Sequence, residues 1–311
     1  MRISGTMNTG GDEMKIGLID VDGHNFPNLA IMKISAYHKS LGDDVEWFNG
    51  FFEYDKVYMS KVFTFTDDFD TCIRAKKVIK GGTGYNLTSQ LPFEVEHQYP
   101  DYSLYGITDT AYGFLSRGCP RQCKFCNVSE QQGKQSLKVA NLSEFWNGQK
   151  NIVLLDPNIT ACKDYENLFQ QLIDSKAHID FSQGIDIRTM TKSKIELIKQ
   201  LKLKHVHFAF DNYKDKEIVI EKLTMFKNET NWNRGKVSVY VLVNDGSTIE
   251  QDLERIYFIK SLGFNPFVQI LDKETLPKKH ILRKLQRYAN NKYIFWSDNC
   301  KTFDDYLKGG S

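Results

Sequence analysis

Ser116-Arg117-Gly118-Cys119-Pro120-Arg121-Gln122-Cys123-Lys124-Phe125-Cys126 follows directly on the strand-like run Ala111-Tyr112-Gly113-Phe114-Leu115. Its three cysteines stand in the order C-x3-C-x2-C. Three thiolates on one short loop can hold three irons of a [4Fe-4S] cube, which leaves the fourth iron open to a ligand from outside the motif. Zinc is the competing occupant, but a structural zinc asks for four ligands. Cys162 lies well downstream, Cys72 and Cys300 are isolated, and no histidine stands in the loop. Chance clustering of buried cysteines is the third reading, and the agreement of strand, loop and spacing favours the cluster over both.

This spacing, with the aromatic Phe125 just before the last cysteine, resembles the radical S-adenosylmethionine (SAM) family. The resemblance implies that Cys119, Cys123 and Cys126 ligate a [4Fe-4S] cluster whose open iron chelates the amino and carboxylate groups of SAM. It also implies an external one-electron reductant of flavodoxin or ferredoxin type, and cleavage of the sulfonium to a 5'-deoxyadenosyl radical. Members share this first step and diverge afterwards, so the substrate stays unidentified. Two other readings stand beside it: cobalamin-dependent radical SAM methyl transfer, and a non-catalytic iron-sulfur or zinc-binding protein.

Composition frames this reading. The chain has 311 residues, 41% hydrophobic and 26% charged, enough to bury a core in one large or two modest domains. With 41 basic against 39 acidic residues the net charge is +2, so no global field indicates nucleic acid. No apolar run approaches the roughly 18 residues of a membrane span, and the N-terminus lacks the apolar core of a signal peptide. Half of the six cysteines sit in one loop, unlike a secreted disulfide framework, and a thiolate-held cluster needs a reducing compartment. A cytoplasmic protein without a membrane partner is expected.

The pattern along the chain divides it. Residues 1–14 read as a flexible leader rich in Gly, Ser, Thr and Asn. Residues 15–89 read as a small open parallel α/β (Rossmann-like) domain: strands at Lys15–Asp20, Val45–Phe48, Lys56–Met59 and Lys77–Lys80, with a helix from Asn28 to Ser40 ending at Gly42. The Gly81-Gly82-Thr83-Gly84 turn lies where backbone can approach a ligand. This segment resembles the cobalamin-binding-type domain that precedes some radical SAM barrels. The cobalt-ligand motif of that family, Asp-x-His-x-x-Gly, is matched by Asp22-Gly23-His24-Asn25-Phe26-Pro27, with Pro27 in the place of the glycine. A degenerate layer that binds no cobalamin is expected. Residues 90–107, rich in Pro and Tyr, read as a linker draped over a surface.

Residues 108–275 read as a partial TIM-like (β/α)6 barrel. Strands are expected at Asn151–Leu155, within His178–Ile187, and at His205–Phe210, Val237–Val243 and Asn265–Leu271; helices at Tyr165–Ser175, Lys192–Leu203 and Thr248–Leu262. Residues 276–311 add a basic helix, Lys278–Asn290, and a strand-like Tyr293-Ile294-Phe295-Trp296. In such a fold ligand groups belong at the C-terminal strand ends. There, Asp156-Pro157-Asn158 and Gln183-Gly184-Ile185-Asp186-Ile187-Arg188 resemble stretches of the cobalamin-domain relatives. Extended alternation would put Asp186 and Arg188 on one side, able to serve the ribose and the methionine carboxylate of SAM or to form a local ion pair. Phe125, Asp156, Asn158, Gln183, Asp186, Arg188 and Asn244 thus form the expected cofactor-binding set; for Asn244, as for Asp211 outside the set, the alternative to lining the pocket is a turn or helix-cap role. His205 and His207 read as strand-face residues rather than catalytic ones.

Overall fold

The computed structural model describes residues 13–309 except 24, so most of the expected leader, and His24, lie outside the described residues. The chain divides into two compact units, Met1–Thr108 and Asp109–Ser311. Among the described residues no helix is long and apolar enough to cross a membrane.

The first unit is built on four parallel strands, β1 (Lys15–Asp20), β2 (Asp44–Trp47), β3 (Tyr54–Ser60) and β4 (Ala75–Gly81), in the order β2-β1-β3-β4. β1 is apolar because it is central: Ile16 and Leu18 face helix α1 (Leu29–Leu41), while Ile19 packs with Tyr54, Val57 and Met59. Asn28 starts α1 by accepting from the Ile31 N–H, and its amide donates to Ser60 Oγ at 2.8 Å, which ties the helix start to the end of β3. Gly42 closes the helix in the left-handed region, φ 90°.

Residues 90–107 are more than a draped linker. Pro92 precedes a short helix, α2 (Phe93–Glu96), whose Val95 enters the core beside Ile31 and Ile34. Proline at a helix start gives up an N–H that would have no partner there, so it initiates rather than breaks.

The glycine turn has a structural use. A Cβ on Gly82 (φ +93°) would lie 2.3 Å from the Lys61 carbonyl oxygen, and one on Gly84 2.6 Å from Lys61 Cγ. The close approach is therefore made by the loop after β3, not left open for a ligand. Asp22 is engaged by the same loop, accepting from the Val62 N–H at 2.5 Å and Thr66 Oγ1 at 2.6 Å.

The second unit is also α/β with parallel sheets. One sheet has the order β10-β9-β8-β5 and another β11-β12-β13; every neighbour in them is parallel. The strands are β5 (Thr110–Gly113), β8 (Asn151–Leu154), β9 (His178–Phe181), β10 (Lys202–Leu203), β11 (Val206–Ala209), β12 (Val237–Val243) and β13 (Asn265–Ile270), and a short antiparallel pair joins β6 (Ser116–Arg117) to β7 (Leu137–Lys138). The Ile185 N–H donates to the His207 carbonyl at 2.8 Å and links the two parallel sheets.

Helices alternate with these strands after the cysteine loop and its short helix α3 (Val128–Gln131): α4 (Tyr165–Ser175), α5 (Lys192–Gln200), α6 (Lys216–Thr230), α7 (Ile249–Ser261) and α8 (Ile281–Asn290). α6 went unread in the sequence, although Val219, Leu223 and Phe226 recur at helical spacing and are fully buried. α8 closes the sheet edge: Asn290 Oδ1 accepts from the Val268 N–H at 2.7 Å, and the Gln286 and Asn290 amides donate to the Val268 carbonyl. The edge strand is thereby satisfied at Val268, where both backbone groups find partners.

Two expectations are corrected here. Tyr293–Trp296 is not a strand; Lys292–Phe295 forms a helical turn, α9, because Asn291 Oδ1 accepts from the Tyr293 and Ile294 N–H groups and this local cap overrides the aromatic β-preference. A last helix, α10 (Phe303–Gly309), follows, and no strand forms after β13 among the described residues. The segment through Asp186 and Arg188 is not extended either. Asp186 caps a 3-10 turn at Ile187–Thr189 and accepts from the Arg188 N–H.

Gly82→Ala should cost about 2 to 4 kcal/mol, combining left-handed strain with overpacking. Gly42→Ala, strained but facing open space, should cost about 1 to 2 kcal/mol. Urea unfolding of the two variants checks the ranking, and equal losses would mean that the contact with Lys61 contributes nothing.

Candidate metal and cofactor centre

The cysteine loop leaves the C-terminal end of β5 and is pinned before its first cysteine. Asp156, just past the end of β8, accepts from the Leu115 N–H at 3.0 Å, the Ser116 N–H at 2.5 Å and Ser116 Oγ at 2.6 Å. It is buried at 3% exposure, so it faces the loop's root rather than an open rim. Burial pushes its carboxyl up to about 6, while these donors pull the other way. Gly118 (φ +87°) makes the next step possible, since a Cβ there would sit 2.1 Å from the Gln135 carbonyl oxygen. The Cys119 N–H then donates to the Gly133 carbonyl, and the Cys126 N–H to that of Cys123.

Around this loop the strand ends contribute a polar set. Asn158 Nδ2 donates to Cys119 Sγ at 3.4 Å and to Asp186 Oδ2 at 3.3 Å. Asp186 also accepts from Arg121 Nε at 2.9 Å and Arg188 Nε at 2.8 Å, and Arg188 reaches Asp215 at 2.5 Å. Burial pushes the Asp186 carboxyl up, but the guanidiniums of Arg188 and Arg121 more than reverse this and hold it below the usual range. The Cys123 thiol is pushed up, mainly by burial; Arg188 opposes this, and Cys126, Asp211 and Cys119 add to it. Cys123, Arg188 and Asp211 therefore share one electrostatic neighbourhood.

Four of the expected residues, Cys119, Asn158, Asp186 and Arg188, are joined by these contacts. Others are not. Gln183 is exposed and, among the described residues, its side chain reaches only Ser182 Oγ, at 3.5 Å. Asn244 sits in the left-handed region, φ 70°, with its amide on the Leu271 carbonyl, the role of a turn residue. Phe125 is exposed and Asp156 is turned inward. Arg121 and Asp215 were missed. Arg121 lies inside the cysteine motif, and Asp215 stands at the N-cap position of the helix that the sequence pattern left unread.

Asp211 sits after β11, where its Oδ1 accepts from the Leu242 N–H at 3.1 Å. The fully buried Arg255 of α7 holds this corner, donating to the Phe210, Asp211 and Leu242 carbonyls and to Asp252 Oδ1 at 2.6 Å. Burial pushes the Asp211 carboxyl up to about 6 despite Arg255 and Arg188.

Among the described residues no three His, Cys, Asp or Glu side chains converge to grip a single ion. The donor chemistry fits a cluster that spreads its ligands: three free thiols on one loop, with an amide N–H directed at one of the sulfurs.

No family model matches the chain. Over 210 residues it is 24% identical to a CDK5RAP1-like protein of Oryza sativa subsp. japonica, an overlap of 60% of this chain and 34% of that protein. The chain thus spans about a third of that relative's length.

Asp211 carries a pH signature. Its folded value near 6 lies above the ordinary 3.8, so the folded state holds the proton more tightly and stability falls as pH rises from about 4 to about 6. Asp211→Asn should remove that decline and stabilise the chain at pH 7 by up to about 3 kcal/mol. Urea unfolding at pH 4 and pH 7 checks it; an unchanged pH slope would show that Asp211 titrates normally.

Proposed function

We propose that this chain is a radical SAM enzyme that cleaves S-adenosylmethionine reductively and passes the radical to an unidentified substrate. The observation that carries the reading is the glycine-anchored loop presenting Cys119, Cys123 and Cys126 at the C-terminal end of a parallel strand, with Asn158 donating to Cys119. The parallel strands support a partial (β/α)6 barrel as the finer form of the α/β fold. The distant likeness to a CDK5RAP1-like protein, a family within the radical SAM superfamily, adds support.

When bound, a [4Fe-4S] cluster would supply the electron that breaks the sulfonium S–C5' bond of SAM, giving methionine and a 5'-deoxyadenosyl radical. The chain's own residues have distinct duties in this reading. Asp156 holds the root of the loop so that the thiols start from a fixed position. Asn158 couples Cys119 to the charged rim. Asp186 orients Arg188, whose far edge, now on Asp215, is the edge that would receive a methionine carboxylate. The electron comes from an external flavodoxin- or ferredoxin-type reductant. Cobalamin has no part in the proposal, since Asp22 is engaged by Val62, Phe63 and Thr66 and the glycine turn is packed on Lys61.

Anaerobically reconstituted protein should contain one [4Fe-4S] cluster and, with dithionite and SAM, release 5'-deoxyadenosine; Cys123→Ala should abolish both. Stoichiometric zinc in the native protein with no uptake of iron would sink the proposal.

Removing the amide N–H on Cys119 should show in the cluster's potential. Hydrogen bonds to cluster sulfur favour the reduced form, so Asn158→Ala should lower the midpoint by on the order of tens of millivolts with iron content unchanged. Redox titration followed by electron paramagnetic resonance measures this, and an unmoved midpoint would leave Asn158 with a packing role.

A further inference from the structure

Parallel sheets are almost always covered on both faces. In the second unit one face is covered: Val206, Phe208, Val237, Val239, Val241 and Val243 are all buried to 0–1% exposure. On the other face Ser238, Leu242 and Asn265 are buried as well, but between them a chemically distinctive set stays half-buried or exposed. Asp180 stands on β9, His205 and His207 on the β11 segment, Tyr240 on β12 and Phe267 on β13.

Their rings form one wall across three strands. The His207 and Tyr240 rings stack with centroids 5.2 Å apart at 14°, and Phe267 meets Tyr240 edge-on at 5.4 Å. His205 lies 4.7 Å from His207 and bonds Ser238 Oγ at 2.8 Å. Burial lowers both imidazoles, so they are neutral at pH 7. Asp180 charges this wall: its carboxylate reaches His205, His207 and Tyr240 electrostatically, yet among the described residues it has no hydrogen bond or ion pair. The nearby cation Lys292 acts on both imidazoles but makes no ion pair with Asp180. Among the described residues the buried His207 Nδ1 has no hydrogen-bond partner.

An unpaired carboxylate and aromatic ring faces repel an anion, and neutral imidazoles add no positive charge to offset this. A purely apolar ligand would desolvate the Asp180 carboxylate without giving it a partner. An organic cation suits both features: its charge meets Asp180, and the ring faces add cation–π attraction. We infer that this open sheet face is a binding site for an organic ammonium group, held between Asp180 and the His207–Tyr240–Phe267 wall. That the bound amine belongs to the substrate of the radical step rests on the function proposed above; the binding itself does not.

The test uses the full-length chain and a pair of probes of one shape, n-butylammonium and 1-butanol, followed through the imidazole proton shifts of His205 and His207. The ammonium should bind about tenfold more tightly than the alcohol. Asp180→Asn, with folding checked by thermal melting, should erase that preference, and Tyr240→Ala should weaken both probes. Equal affinity for the two probes, no shift with either, or a preference that survives Asp180→Asn would overturn the inference. Iron content and 5'-deoxyadenosine release measured on the same preparations separate the two proposals: failure there with ammonium binding intact removes the radical chemistry and leaves the amine site, and the reverse result removes the amine site alone.

Discussion

Asp156 is the interaction on which the site depends. A carboxylate taken out of water must find donors, and this one finds them on Leu115 and Ser116, at the root of the cysteine loop. The loop therefore cannot pivot at its origin without leaving a buried charge unpaired. Everything downstream inherits that constraint, from the β6–β7 pair to the tight passage of Gly118 beneath Gln135.

A second buried carboxylate, Asp186, organises the rim. It collects donors from three residues, two of them distant in sequence: Arg121 in the loop, Asn158 after β8, and its own neighbour Arg188. Paired charges in a half-buried setting hold geometry when each lone pair has a donor, and Asp186 meets that condition. Arg255 does the same at the next strand ends, where its guanidinium gathers the carbonyls of Phe210, Asp211 and Leu242. The C-terminal ends of the strands are thus held by a few buried ionic groups rather than by loop packing alone.

The first unit shows how a motif can take a structural meaning. Gly82 and Gly84 stand where glycines often make room for a ligand, but their missing Cβ atoms make room for Lys61 and Phe63. Asp22, the first residue of the degenerate motif, caps the same loop. The 90–107 segment likewise joins the core through Val95, because proline can begin a helix as well as end one.

Local signals made most of the elements legible. β12 runs from Val237 to Val243 and α4 from Tyr165 to Ser175, as periodicity alone predicts, because an alternating or helical apolar stripe is a property of neighbouring residues. The cysteine spacing was legible for the same reason. Strand-like Tyr293–Trp296 misled because its composition and the Asn291 cap point in opposite directions. Long-range partnership was not legible: no pattern along the chain announces that Asp156 belongs to Ser116, that Arg121 belongs to Asp186, or that Asp180, His207 and Tyr240 share one uncovered face. Chain order by itself determined the thiol loop and the alternation of strand and helix. Only the tertiary structure decided which carboxylates anchor, which remain unpaired, and which glycines serve packing, because those depend on which groups lose water together when distant segments meet.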